Sequence, residues 1–165
     1  MRFTATLLLL ALFACDTRPA PPPPAAQASL AAQIENVRSG ASIEIRLSPR
    51  FFRTDLPAVA ALHNLVRLNL NETDLTDEDV QQLASMPKLE TLRFSSPTIT
   101  DEALSHLADS KSLRHLLLFD TPITNRGLEH LARLQTLESL YLTNTRVTDA
   151  GLSALLERRP TLHLH

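Results

Sequence analysis

From Leu65 onward the chain states one phrase four times: LVRLNLNETDLTDEDVQQLASMPK, LETLRFSSPTITDEALSHLADSKS, LRHLLLFDTPITNRGLEHLARLQT and LESLYLTNTRVTDAGLSALLERRP. Leu65, Leu89, Leu113 and Leu137 stand 24 residues apart. Leu68, Leu92, Leu116 and Leu140 fill a second column, and Leu70, Phe94, Leu118 and Leu142 a third. A fixed period of roughly 20 to 50 residues marks a stacked architecture and constrains the fold more than any local propensity.

Each copy carries two periodicities in turn. Leu68-x-Leu70 and its equivalents alternate, which suits a short strand with one apolar face. About ten residues later, Val80 and Leu83, Leu104 and Leu107, Leu128 and Leu131, and Leu152 and Leu155 stand three apart. Ala84, Ala108, Ala132 and Leu156 lie beside them, completing the inward stripe of a short helix. Leu75, Ile99, Ile123 and Val147 add one buried position between strand and helix. One strand and one helix cannot enclose their own leucines, so the units must bury one another's apolar faces in a row. Thr76, Thr100, Thr124 and Thr148 stand at the helix starts, where a hydroxyl accepts a bond from a free backbone N–H. Asp77, Asp101 and Asp149 follow, where negative charge suits the helix dipole, with Asn125 in the third copy.

The pattern L-x-x-L-x-L followed by T-x-(I/V/L)-T-D-x-x-L-x-x-L resembles a bacterial leucine-rich repeat protein of the TDAGL kind, similar to the ribonuclease-inhibitor-like and cysteine-containing classes. The eponymous phrase is Thr148-Asp149-Ala150-Gly151-Leu152. The pattern departs at Asp79 and Ala103, where such repeats often carry glycine, and at Pro97, where the other copies carry threonine. The resemblance implies an α/β leucine-rich repeat solenoid: a short right-handed horseshoe arc with about six parallel strands on its concave face and short helices on its convex face. It implies a scaffold for binding other molecules, with no fixed chemistry of its own.

Upstream, residues 1–14 read as a signal peptide: Arg2 supplies a positive start and Phe3 to Phe13 an apolar run. That run is shorter than the roughly 20 residues a spanning helix needs. Leu12-Phe13-Ala14-Cys15 resembles a bacterial lipobox, whose cysteine is lipidated and becomes the mature N-terminus; Cys15 as an ordinary thiol within a secretory signal is the alternative. Cys15 is the only cysteine, which excludes an intramolecular disulfide. Each buried acyl methylene adds about 0.8 kcal/mol of membrane affinity. Asp16 resembles an inner-membrane retention signal, which leaves the choice of membrane open. Residues 15–28, with Pro19 and Pro21 to Pro24, read as an extended tether, although P-x-x-P segments also dock in SH3-type domains.

Residues 29–165 then form the repeat domain. Leu30, Ile34 and Val37 predict an amphipathic helix from Ser29 to Arg38 that caps the open end of the stack. A degenerate first repeat follows, with Ile43, Ile45 and Leu47 as a strand and Leu56, Val59, Ala60 and Leu62 on a helix, its turn disturbed by Pro49, Phe51 and Phe52. Leu162 and Leu164 begin a last strand.

Net charge is −2 and no basic run occurs, which disfavours nucleic acid, whose phosphates need clustered Lys and Arg. No G-x-S-x-G, phosphate-binding glycine loop or H-E-x-x-H occurs, so neither an enzyme nor a cofactor is expected. His163 and His165 share a face with His115 two strands away, but without a placed carboxylate they read as surface residues, and no metal is expected. His106 and His130 read as partly exposed helix residues. Asp74, Asp77, Glu78 and Asp79 could attract a cation, though helix capping accounts for most of that cluster.

The free face of the strands remains. If Leu68 and Leu70 point in, alternation turns Arg67, Asn69 and Asn71 out. The first outward column reads Arg67, Thr91, His115, Ser139. The central one reads Asn69, Arg93, Leu117, Tyr141, with Arg46 before it and His163 after it. The third reads Asn71, Ser95, Phe119, Thr143. Leu117, Phe119 and Tyr141 place apolar groups where water belongs, beside Arg93 and His115. Arg67, Asn69, Arg93, His115, Leu117, Phe119 and Tyr141 are therefore the candidate partner-binding residues. The expected function is a monomeric, non-catalytic protein- or peptide-binding module. Lipid on Cys15 is expected to hold it at the bacterial cell envelope, on an inner or outer membrane. A structural accessory subunit of a larger envelope complex is the alternative.

Overall fold

The structure, a computed structural model, describes residues 29–47, 53–71, 73 and 75–165. The segments expected to be signal and tether, with Cys15, lie outside them, as do Pro49, Phe51, Phe52 and Asp74.

Six strands build one sheet: β1 (Glu44–Arg46), β2 (Arg67–Asn71), β3 (Thr91–Ser95), β4 (His115–Phe119), β5 (Ser139–Thr143) and β6 (His163–Leu164). All pair in parallel, in chain order. The helices are α1 (Leu30–Arg38), α2 (Leu56–Ala60), α3 (Asp77–Ala84), α4 (Asp101–Leu107), α5 (Asn125–Leu131) and α6 (Asp149–Arg158), with a 3-10 turn at Arg53–Asp55. Parallel neighbours need a crossover, and each repeat supplies one with its helix. The register places Leu68, Leu92, Leu116, Leu140 and Leu164 side by side, the second leucine column of the sequence. Leu68, Leu92, Leu116 and Leu140 are buried in one continuous core with Leu75, Ile99, Ile123 and the helix stripes. The last repeat is less enclosed: Leu142, Val147, Leu152, Leu156 and Leu164 are only partly buried.

The degenerate first repeat is one residue shorter in register, since Ile45 pairs with Leu68. Ile45 and Leu47 are buried as expected, but Ile43 is 45% exposed. It lies just ahead of the strand, where its carbonyl accepts bonds from the N–H groups of Val66 and Arg67. At the N-terminal edge α1 buries Val37 and packs Leu30 and Ile34 on the core. Its Gln33 side-chain amide meets β1 as a further strand would: Oε1 accepts from Arg46 N–H at 2.8 Å and Nε2 donates to Arg46 C=O at 3.1 Å. An edge strand with unpaired backbone invites wrong partners, and one glutamine closes part of it.

The threonine caps form as expected. Thr100, Thr124 and Thr148 each accept a backbone N–H from the first turn of their helix. Thr76 sits in a capping box, its own N–H bonded to the Asp79 carboxylate at 2.9 Å. The residue after each cap does more than complement a dipole. Asp77 accepts from Thr100 N–H at 2.8 Å and from its hydroxyl at 2.5 Å. Asp101 repeats this with Thr124 at 2.8 and 2.6 Å. Asn125 does so with Thr148, accepting at 3.0 Å from N–H and donating at 2.9 Å to the hydroxyl. The Thr-Asp pair is thus a ladder running from repeat to repeat. At Pro97 the turn is re-satisfied locally: the Ser96 and Thr98 hydroxyls lie 2.7 Å apart and Thr98 donates to Leu75 C=O at 2.6 Å.

Candidate functional site

Alternation leaves one face of the sheet without helices, and the candidate residues all lie on it. The register aligns Arg67, Thr91, His115 and Ser139 in one row. Arg46, Asn69, Arg93, Leu117 and Tyr141 form the next, and Asn71, Ser95, Phe119 and Thr143 the third. One placement is corrected. His163 pairs with Ser139 and so ends the first row, because its offset from Ser139 is one repeat; the central row ends on His165. The imidazole of His165 stacks on Tyr141, with ring centroids 4.1 Å apart and an interplanar angle of 8°. The offset between Tyr141 and His165 is the same 24 residues that align the leucines, so the signal was present in the sequence.

Arg67 is exposed, whereas Asn69, Arg93, His115, Leu117, Phe119 and Tyr141 are each partly buried. Their neighbours explain this. Leu117 lies between Arg93 and Tyr141 across the strands. The Arg93 guanidinium carbon sits 4.5 Å from the centre of the Phe119 ring, within the range where the ring face attracts a cation. Arg93 Nε is enclosed without a hydrogen-bond partner, and so is Asn71 Oδ1. Asn69 Oδ1 accepts from Asn71 N–H at 3.1 Å. The face is therefore an ordered surface: aromatic and aliphatic groups at β4 and β5, amides and guanidinium groups at β2 and β3.

His106 and His130 are partly buried on the helix side. No group of three or more His, Cys, Asp or Glu residues is placed to hold a metal among the described residues. No helix among them is long and apolar enough to cross a membrane. On the helix side, a shallow cavity of about 260 Å³ between α5 and α6 is lined by Leu128, Ala132, Ala154 and Leu155 among others. It is apolar and carries no convergent reactive groups.

Sequence reasoning missed one buried charge. Arg159, 6% exposed, turns inward and donates to the carbonyls of Leu134, Gln135 and Leu137, closing the loop between α5 and β5. No periodic signal announces it, because Gln135 and Lys111 hold the equivalent positions.

Comparison with known proteins agrees with this architecture. The family model described as leucine-rich repeat matches residues 61–84 and 133–156, two windows at the same phase of the repeat. Among solved structures, the chain is similar to an internalin (inlF) from Listeria monocytogenes str. 4b F2365, 25% identical with a TM-score of 0.50. The alignment covers 67% of this chain and 30% of the internalin, so the chain spans about a third of that protein's length. Comparison with curated proteins finds no match. The fold is a leucine-rich repeat solenoid.

Proposed function

We propose that this chain is a non-catalytic protein- or peptide-binding module of the TDAGL repeat type, tethered to a bacterial envelope membrane through lipid on Cys15. The observation that carries the binding reading is the row Arg93, Leu117, Tyr141, bracketed by the Phe119 and His165 rings on a sheet face no helix covers. Tyr and Arg dominate the energetics of protein interfaces because they combine apolar area with directional donors. Ser139 stands between His115 and His163 in the first row, but among the described residues no hydrogen bond joins the hydroxyl to either imidazole, which favours recognition over catalysis. The tether reading rests on the apolar run, the Ala14-Cys15 junction and the proline segment after it.

A photo-crosslinking residue placed at Leu117 of the full chain, in the cells that make it, should trap a protein partner that the same group at Glu129 on the helix side does not. Equal trapping from both positions would sink the open-face reading. Tyr141→Ala and Phe119→Ala should each weaken the captured complex by about 10-fold or more. Cys15→Ala should abolish labelling by radioactive palmitate and shift the protein out of the membrane fraction; labelling that persists overturns the lipid reading.

A second reading has one observation in its favour. The partly buried Leu142, Val147, Leu152, Leu156 and Leu164 leave apolar surface at the β6 end of the stack, as expected of an accessory subunit packed permanently in a larger envelope complex. Sedimentation across a concentration series separates the two, since a transient binder stays monomeric and a permanent subunit self-associates.

A further inference from the structure

The charge on the open face runs opposite to that of the chain. The protein carries 18 acidic and 16 basic residues. Yet the six strands hold three arginines, Arg46, Arg67 and Arg93, and a single carboxylate, Glu44. Arg46 engages that carboxylate at 2.6 Å. Arg67 and Arg93 have no acidic partner among the described residues. His115 and His163 stand on the same face.

Arg93 is also posed. Its guanidinium carbon lies 4.5 Å from the centre of the Phe119 ring, a contact that restrains the side chain before a ligand binds. Its Nε is enclosed, which leaves the two Nη atoms, bonded to no protein group among the described residues, as the edge that matches the two oxygens of a carboxylate. An unpaired guanidinium edge at the start of an apolar stretch matches a carboxylate next to an apolar side chain, which an acidic peptide segment presents. Beyond Arg93, Leu117 and the Tyr141–His165 stack continue the same row as an apolar and aromatic floor. Two unpaired arginines are too sparse for a phosphate backbone, which needs a clustered array.

We propose that the open face binds an extended acidic peptide segment of a partner protein, one carboxylate seated on the free edge of Arg93 and an adjoining aromatic or aliphatic side chain on Leu117 and Tyr141. This rests on the open face being the binding surface and adds the chemistry of its occupant. A basic segment would meet Arg67 and Arg93 with like charge and is disfavoured.

The test is selection of random displayed peptides on the full chain, followed by synthesis of the recovered sequences. They should carry Asp or Glu within a few residues of an aromatic or aliphatic side chain. Their affinity should fall at raised salt, and about 10-fold or more when Arg93 becomes Gln. Replacing the peptide's carboxylates by amides should cost a similar factor. Arg93→Lys should recover only part of the loss, because it keeps the charge and loses the fork. Arg126→Gln on the helix side should change nothing, and an unchanged unfolding midpoint shows that Arg93→Gln is folded. Neutral or basic peptides, acidic peptides indifferent to Arg93→Gln, or no peptide at all overturns the inference. If peptides of the wrong charge are still lost with Tyr141→Ala, the open face survives as the binding surface. Binders that ignore both Arg93→Gln and Tyr141→Ala remove the surface as well.

Discussion

Gly127 and Gly151 show what a single position contributes here. Each lies buried in the first turn of its helix, one repeat apart. A Cβ at Gly127 would stand 2.5 Å from Asp101 Oδ1, 2.8 Å from Leu104 Cδ1 and 2.9 Å from Ile123 Cγ2. At Gly151 it would meet the Asn125 side chain. The glycine therefore exists for close approach to the preceding helix, where the ladder residue lies. The equivalent Ala103 is fully buried with its methyl accommodated beside α3. Asp79, against the shorter α2, turns its carboxylate to its own cap. Gly127→Ala sets two effects against each other. Alanine gains about 1 kcal/mol of helix propensity, and overpacking costs about 1–3 kcal/mol. The displaced atoms are buried or hydrogen-bonded on three sides, so overpacking should win, with a net loss of about 1 kcal/mol. Urea unfolding should show a lower midpoint at unchanged slope; a higher midpoint would mean that the neighbouring helix yields.

The threonine-aspartate ladder belongs to the elements, because it couples one helix start to the next. Asp101 satisfies both the N–H and the hydroxyl of Thr124. Asp101→Ala should therefore cost about 1–3 kcal/mol, the penalty for orphaning a partly buried donor. Asp101→Asn should stay within about 1 kcal/mol of the parent, because Asn125 already serves Thr148 through its carbonyl and amide. Equal losses from the two substitutions, read by thermal unfolding, would show that charge at the helix start matters and the ladder does not. Gln33 and Arg159 do related work at other junctions, one against the backbone of β1 and the other against the loop after α5. Neither follows from periodicity, since neither residue has a like residue at the equivalent position of the neighbouring repeat.

At the scale of the whole molecule, stability is a sum over neighbours, and the neighbours are unequal. Repeats in the middle are enclosed on both sides, and their Leu92, Leu104, Leu116 and Ile123 are fully buried. The last repeat has partly buried Leu142, Val147, Leu152 and Leu156. Amide exchange should thus be slowest in β3 and β4 and fastest in β5, α6 and β6, with protection rising toward the centre. Uniform protection along the stack would show that it opens only as one unit. A graded stack also places Arg93, Leu117 and Phe119 on its firmest strands, which suits a surface meant to be pre-formed.

The leucine columns alone determined that strands and helices alternate, that the strands lie parallel in chain order, and which residues face outward. A period of 24 leaves a stacked chain no other way to bury them. They also locate the outward rows, Arg67 to Tyr141, while the register moves His163 from the central row to the first. Tertiary structure alone decided what those side chains do with one another: Arg93 over Phe119, His165 on Tyr141, Asp101 reaching Thr124, Arg159 turned inward. Such contacts join residues far apart in the chain, through side-chain torsions that the repeat leaves unset, and they exist only once neighbouring repeats have docked.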